Sequence, residues 1–189
     1  AERFTSKGRK DKLNLIDSLA KRGYAIVYSQ DELSKCESEK IFGLFAEGHL
    51  PEASKRGGIM QQYMLKALEQ LDKNPNGFFM MLEGSRIDME AHLNKYDAMV
   101  EETLDFDRCV AIALDFAKRK GNTLVVVTAD HETGGLTLPA KGSKTQDKWT
   151  TLNHTGVPVP IYSFGPGAEN FTRVMQNTDI FFEIYKLMK

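Results

Sequence analysis

Two short apolar runs, each halted by acidic and histidine residues and separated by a long helical pattern, constrain this chain more than any other feature. The first run is Phe78-Phe79-Met80-Met81-Leu82, entered through Asn74-Pro75-Asn76-Gly77. Such a run, bounded by turn chemistry and too short for a helix, predicts a central strand buried on both faces. The second, Thr123-Leu124-Val125-Val126-Val127-Thr128, is β-branched and continuous, the strongest strand signal in the chain. Between them, from about 90 to 120, Tyr96, Met99, Val100, Thr103, Leu104, Asp107, Val110, Leu114 and Ala117 recur at helical steps. Lys118, Arg119 and Lys120 occupy the last turn, and Gly121-Asn122 follows as a stop. Strand, helix, strand predicts a crossover onto a parallel sheet.

The rest of the chain continues the alternation, so the expected class is α/β. Helices are predicted over 13–22, over 59–71 with Met60, Met64, Leu68 and Leu71 on one stripe, and over 178–188 with Asp179 in the first turn. A short strand is predicted at 24–28, and 41–45 is another short apolar run, ended by Gly48 and Pro51. Residues 157–164 contain Pro158 and Pro160, which makes them an edge strand or a strand entered late. Loops are expected at 54–58 and 141–150.

Composition narrows the functional class. The 189 residues are 41% apolar and 27% charged, with a formal net charge of -1. This suits one soluble α/β domain spanning 1–189 and offers no basic field for nucleic acid. No apolar run approaches the ~20 residues that cross a bilayer. The chain opens Ala1-Glu2-Arg3-Phe4, without an apolar signal region or initiator Met, and reads as a processed or truncated product. Cys36 and Cys109 are the only cysteines; they fit two small buried side chains or a single disulfide.

The chemistry is concentrated where the apolar runs stop. The first is followed by Glu83-Gly84-Ser85-Arg86-Ile87-Asp88-Met89-Glu90-Ala91-His92, the second by Ala129-Asp130-His131-Glu132-Thr133-Gly134-Gly135. In parallel α/β sheets, ligands bind beyond the carboxyl ends of the strands. Asp88 and His92, four apart, share a face if a helix begins near Asp88. Asp130 and His131 are adjacent, and adjacent strand side chains point apart, so joint use of both requires irregular backbone there. Gly134-Gly135 fits such a loop. Alone, Asp88 is most simply a helix N-cap, His92 a solvated helix residue and His154 a loop histidine. A carboxylate such as Glu83 at the end of an apolar strand needs a partner. Jointly the set points to a site for zinc or a similar borderline ion, with His154 as a third ligand beside Asp88 and His92. His49 has no neighbouring ligand and reads as a surface loop residue.

Taken in order and spacing, Glu83 to Asp88, His92, Thr128 to Gly135 and His154-Thr155-Gly156 resemble the alkaline phosphatase family. Gly43-Leu44-Phe45-Ala46, Leu104-Asp105-Phe106-Asp107, Gly121 to Val127 and Thr178-Asp179-Ile180-Phe181 extend the similarity over nearly the whole chain. The resemblance is to the carboxyl-terminal part of that family. It implies an α/β sandwich with a mostly parallel central sheet flanked by helices, and hydrolysis of phosphate monoesters in a periplasmic or extracellular setting. It implies two zinc ions and one magnesium: Asp88, His92 and His154 on the first zinc, Asp130 and His131 on the second, Glu83 on magnesium. The family's serine nucleophile, its phosphate-gripping arginine and a shared aspartate have no match here; Asp17-Ser18 lies inside a helical pattern, and Arg86 is not given the arginine's role. The expectation is therefore about one well-held zinc, negligible activity alone, and self-association through strand edges and helix faces left uncovered. A fragment of a related sulfatase or phosphoglycerate mutase, or a non-catalytic metal-binding or assembly module, stands as the alternative.

Overall fold

A computed structural model describes residues 2–138 and 148–188, apart from the side chain of Glu2. The chain divides into two compact units, Ala1–Leu82 and Glu83–Lys189.

In the first unit, α1 (Leu15–Lys21) starts at Asn14, whose side-chain oxygen accepts from the backbone N–H of Ile16 at 3.1 Å. The chain continues through β1 (Ala25–Val27), α2 (Gln30–Lys35) and β2 (Ile41–Gly43), and β1 and β2 pair in parallel with Ile26 opposite Phe42. Sequence reading did not anticipate α2, although Ser29-Gln30-Asp31-Glu32 holds its start signal. Ser29 Oγ accepts from Glu32 N–H at 3.2 Å, and the Glu32 carboxylate accepts from Tyr28 N–H at 2.6 Å. The loop expected at 54–58 is in part the one-turn helix α3 (Ala53–Arg56), closed by Gly57 and Gly58, both with positive φ. The helix α4 (Ile59–Leu71) has its predicted bounds and buries Met60, Met64 and Leu68.

The segment 78–82 is corrected. It carries no strand: Phe79 is 57% and Met81 77% exposed, while Phe78, Met80 and Leu82 are partly covered. The alternation belongs to an extended segment with one face covered. A strand exists through its ladder, and no described strand pairs with this one.

In the second unit, the helix expected over about 90–120 is two helices, α5 (Arg86–His92) and α6 (Tyr96–Lys120). Asn94 has φ +53, and Asn94 and Lys95 N–H donate to Ala91 and Glu90 carbonyls at 2.9 and 3.0 Å. This left-handed turn ends α5 after its second turn, and asparagine tolerates it better than most side chains. The buried face of α6 runs through Glu102, Asp105, Cys109, Phe116 and Ala117, whereas Leu104 is exposed.

The strand β3 (Val125–Val127) pairs antiparallel with β6 (Tyr162–Phe164), with Val126 opposite Ser163. The expected parallel partner is thus replaced: a parallel return needs a long crossover, and no described helix lies between β3 and β6. Between them, β4 (Glu132–Thr133) pairs antiparallel with β5 (His154–Thr155). The α/β class holds, and among the described residues the ladders form three two-stranded pairs, one of them parallel. The chain turns at Gly165, with φ +103, where a Cβ would fall 2.2 Å from the Thr123 carbonyl oxygen. Only glycine fits that close approach. The last helix, α7 (Asn177–Leu187), starts with a capping box between Gln176 and Asp179. Neither cysteine is in a disulfide, and Cys109 is fully buried. His49 is exposed, as expected. Most of the loop expected at 141–150 lies outside the described residues.

Candidate metal centre

The short helix α5 has two chemical faces. Residues four apart share a face, and residues two apart lie on nearly opposite ones. Arg86 and Glu90 face α6: Arg86 Nη2 donates to Glu90 Oε1 at 2.5 Å, and Arg86 Nε to Glu102 Oε1 at 3.2 Å. Asp88 and His92 face the β4–β5 ladder. His92 Nε2 lies 3.3 Å from Asp88 Oδ1 and 3.1 Å from His154 Nε2, and His154 Nε2 lies 3.6 Å from the same Asp88 oxygen.

His154 comes from β5 and His131 from the loop between β3 and β4; their rings stack 3.5 Å apart. The irregular backbone that Asp130 and His131 require is present. Asp130 sits in a bend, and its Oδ2 lies 3.4 Å from His131 Nε2. Gly134 and Gly135, with φ +91 and +57, carry the chain out of β4. Side chains there would strike the Trp149 ring and the Thr150 hydroxyl.

Four of the six predicted site residues meet in one cluster, Asp130 approaches it only through His131, and Glu83 does not join it. Asp88, His131 and His154 each offer a ligand atom, all within 4.8 Å of one another, and His92 touches two of the three. Glu83 is exposed ahead of α5, and among the described residues no hydrogen bond or ion pair joins it to the cluster. The donor set fits a borderline cation. A tetrahedral ion with bonds of ~2.0–2.1 Å holds its ligands about 3.3–3.4 Å apart, close to the 3.1–3.6 Å among Asp88, His92 and His154. Proton placement agrees. The Leu152 carbonyl, 2.5 Å from His92 Nδ1, can only accept. The neutral ring therefore carries its hydrogen on Nδ1 and turns a bare Nε2 to the cluster.

Three supporting groups escaped sequence reading. The Leu152 carbonyl is backbone, so residue type carried no signal for it. Thr133 Oγ1 donates to Asp88 Oδ1 at 2.6 Å and lies 3.2 Å from His131 Nδ1. Glu132, on the other face of β4, accepts from the Thr155 hydroxyl and, at 2.9 Å, from Gly135 N–H, tying the ladder in register. The signal for these two was the period of two along β4: Thr133 and its cross-strand neighbour His154 share one face, Glu132 and Thr155 the other.

Comparison with known proteins agrees with this constellation. The family described as alkaline phosphatase matches residues 1–146. Alkaline phosphatase 4 of Bacillus subtilis is 30% identical, covering 96% of this chain and 55% of the relative. Alkaline phosphatase H of Pseudomonas aeruginosa is 34% identical, over 88% of this chain and 45% of that protein. The solved alkaline phosphatase of the Antarctic bacterium TAB5 superposes with a TM-score of 0.87 at 36% identity, covering 98% of this chain and 57% of that one. A histidine-to-glutamate mutant of that enzyme, with Mg bound in its M3 site, matches at a TM-score of 0.86, 35% identity and coverages of 95% and 56%. The chain belongs to the alkaline phosphatase family and has its α/β fold. It spans about half the length of the curated relatives it matches.

Proposed function

We propose that this chain supplies the metal-holding part of a metal-dependent phosphate monoester hydrolase, as the carboxyl-terminal portion of one α/β domain over 1–189, and is inactive by itself. The observation that carries the reading is the convergence of Asp88, His92 and His154 at 3.1–3.6 Å, with His131 stacked on His154. In this reading Asp88, His92 and His154 hold a first zinc, Asp130 and His131 contribute to a second, and Glu83 serves a magnesium. The Mg bound by the mutant Antarctic enzyme supports a magnesium position in the family. Bound ions of this kind polarise phosphoryl oxygens and acidify water.

The chain's own groups orient the ligands. Leu152 holds His92 with Nε2 forward, and the side chain of Asp130, 86% exposed, leaves the centre open to a phosphate ester or inorganic phosphate. The family resemblance supports a periplasmic or extracellular setting. No described helix is long and apolar enough to cross a membrane.

Calorimetric titration of the metal-free chain is expected to show about one tightly held zinc, and the zinc-loaded chain to leave p-nitrophenyl phosphate intact. Two tight zinc sites, or turnover by material free of longer species, would overturn the reading. Self-association belongs to the same proposal, because α7 leaves Phe181 and Phe182 63% and 56% exposed. Sedimentation velocity should find a dimer or larger species; a monodisperse monomer at moderate concentration would refute that part.

A further inference from the structure

We infer that Thr133 is a positioning residue of this centre, one hydroxyl that ties the α5 carboxylate to the His131 imidazole and determines which ring nitrogen is left bare. The inference rests on the metal-centre reading above. A threonine hydroxyl has one hydrogen and two lone pairs. Its short contact, 2.6 Å, is to Asp88 Oδ1, which as a carboxylate oxygen only accepts, so the hydrogen lies there. Toward His131 Nδ1, at 3.2 Å, the oxygen can then only accept. Two acceptors thus compete for the one hydrogen of the neutral ring, the Thr133 oxygen at 3.2 Å from Nδ1 and Asp130 Oδ2 at 3.4 Å from Nε2; the shorter contact assigns it to Nδ1 and leaves Nε2 with a lone pair on the side of Asp130.

The placement of this hydroxyl is determined on three sides. Thr133 lies directly across the ladder from His154. The Glu132 clamp on the opposite face, holding Thr155 and Gly135, resists the one-residue slip that would turn Thr133 away. A β-branched side chain has few χ1 choices. Thr133 therefore links ligands that arrive from separate elements, as outer partners of metal ligands do. A threonine kept only for its strand preference would be replaced by valine without consequence to the ligands.

The test uses the full 189-residue chain with Thr133→Val and Thr133→Ser. Valine keeps the shape and removes the hydroxyl; serine keeps the hydroxyl. Nitrogen-15 spectra of the metal-free proteins at pH about 8, where free imidazole is neutral, report the His131 tautomer. Calorimetry with zinc reports affinity, and urea unfolding reports folding. Thr133→Val is expected to move His131 away from the Nδ1–H tautomer and to weaken zinc binding by about 10–100-fold. Thr133→Ser should keep the parent tautomer and bind zinc within a few-fold of it. An unchanged tautomer in folded Thr133→Val would overturn the inference, as would a serine variant that behaves like the valine one. If the parent binds no zinc, the metal-centre reading fails, while the tautomer comparison still decides the role of Thr133. If Thr133→Val does not fold, a Thr133→Ser protein that loses the parent tautomer overturns the inference and one that keeps it supports it.

Discussion

Arg86→Ala is expected to lower the stability of the unit that carries the metal centre by about 3–5 kcal/mol, the usual cost of removing one partner of a buried ion pair. Glu90 and Glu102 are only 2% and 3% exposed. Both accept from Arg86, at 2.5 and 3.2 Å, and Lys95 Nζ stands 3.7 Å from the other Glu90 oxygen. Taking the guanidinium away leaves two desolvated carboxylates with less compensation than their burial requires. The Arg86 side chain is itself 19% exposed, so entering water relieves part of the cost and favours the lower end of the range. Replacing all three groups together, with Arg86→Met, Glu90→Gln and Glu102→Gln, should recover most of the loss, because no unpaired charge remains buried. Urea unfolding checks both expectations. A midpoint for Arg86→Ala that corresponds to less than about 0.5 kcal/mol, the usual range for surface changes, would sink the first. Because α5 carries Asp88 and His92 on its other face, added zinc should raise the midpoint of the parent by mass action.

Asp88→Ala is expected to have the opposite profile: a small effect on the metal-free fold and a large one on the ion. The Asp88 side chain is 40% exposed and makes no buried ion pair, so its loss should change urea stability by roughly 0.5 kcal/mol or less. Its Oδ1, however, is the atom shared by His92, His154 and the Thr133 hydroxyl. Removing it takes away both a ligand and the charge that offsets the cation. Zinc affinity should fall by more than about 100-fold, beyond the 10–100-fold lost with an outer partner. Asp88→Asn, which keeps an oxygen for Thr133 but not the charge, should fall between the two. Titration calorimetry on variants shown to be folded decides this; affinity for Asp88→Ala within three-fold of the parent would remove Asp88 from the ligand set.

Much of this was legible in residue pattern. The helix at 59–71 matched its apolar spacing, and the strand at 125–127 and the last helix lay within a residue or two of their expected positions. These elements follow local rules of period, capping and β-branching. The misses share a different cause. The stripe chosen for α6 was its apolar one, but the face turned inward carries Glu102 and Asp105, and Arg86, a residue of another helix, stabilises Glu102 there. The apolar run at 78–82 looked like a central strand, yet a strand is a relation between segments, and its partner cannot be read from the run itself. The left-handed Asn94 divided a helical pattern that continued on both sides of it.

The amino-acid order by itself determined the inventory of the candidate metal centre: three carboxylates and two histidines where apolar runs stop, a third histidine downstream, and the glycine pair after β4. Tertiary structure alone decided which of them meet. Asp88 and His92 reach the cluster because Arg86 and Glu90 hold the other face of α5 against α6. His154 reaches it because a two-residue ladder sets it opposite Thr133. The bare nitrogens follow from contacts to a backbone carbonyl and a hydroxyl. Spacing along a chain specifies which side chains share a face of one element; the distance between ligands on different elements follows from how those elements pack.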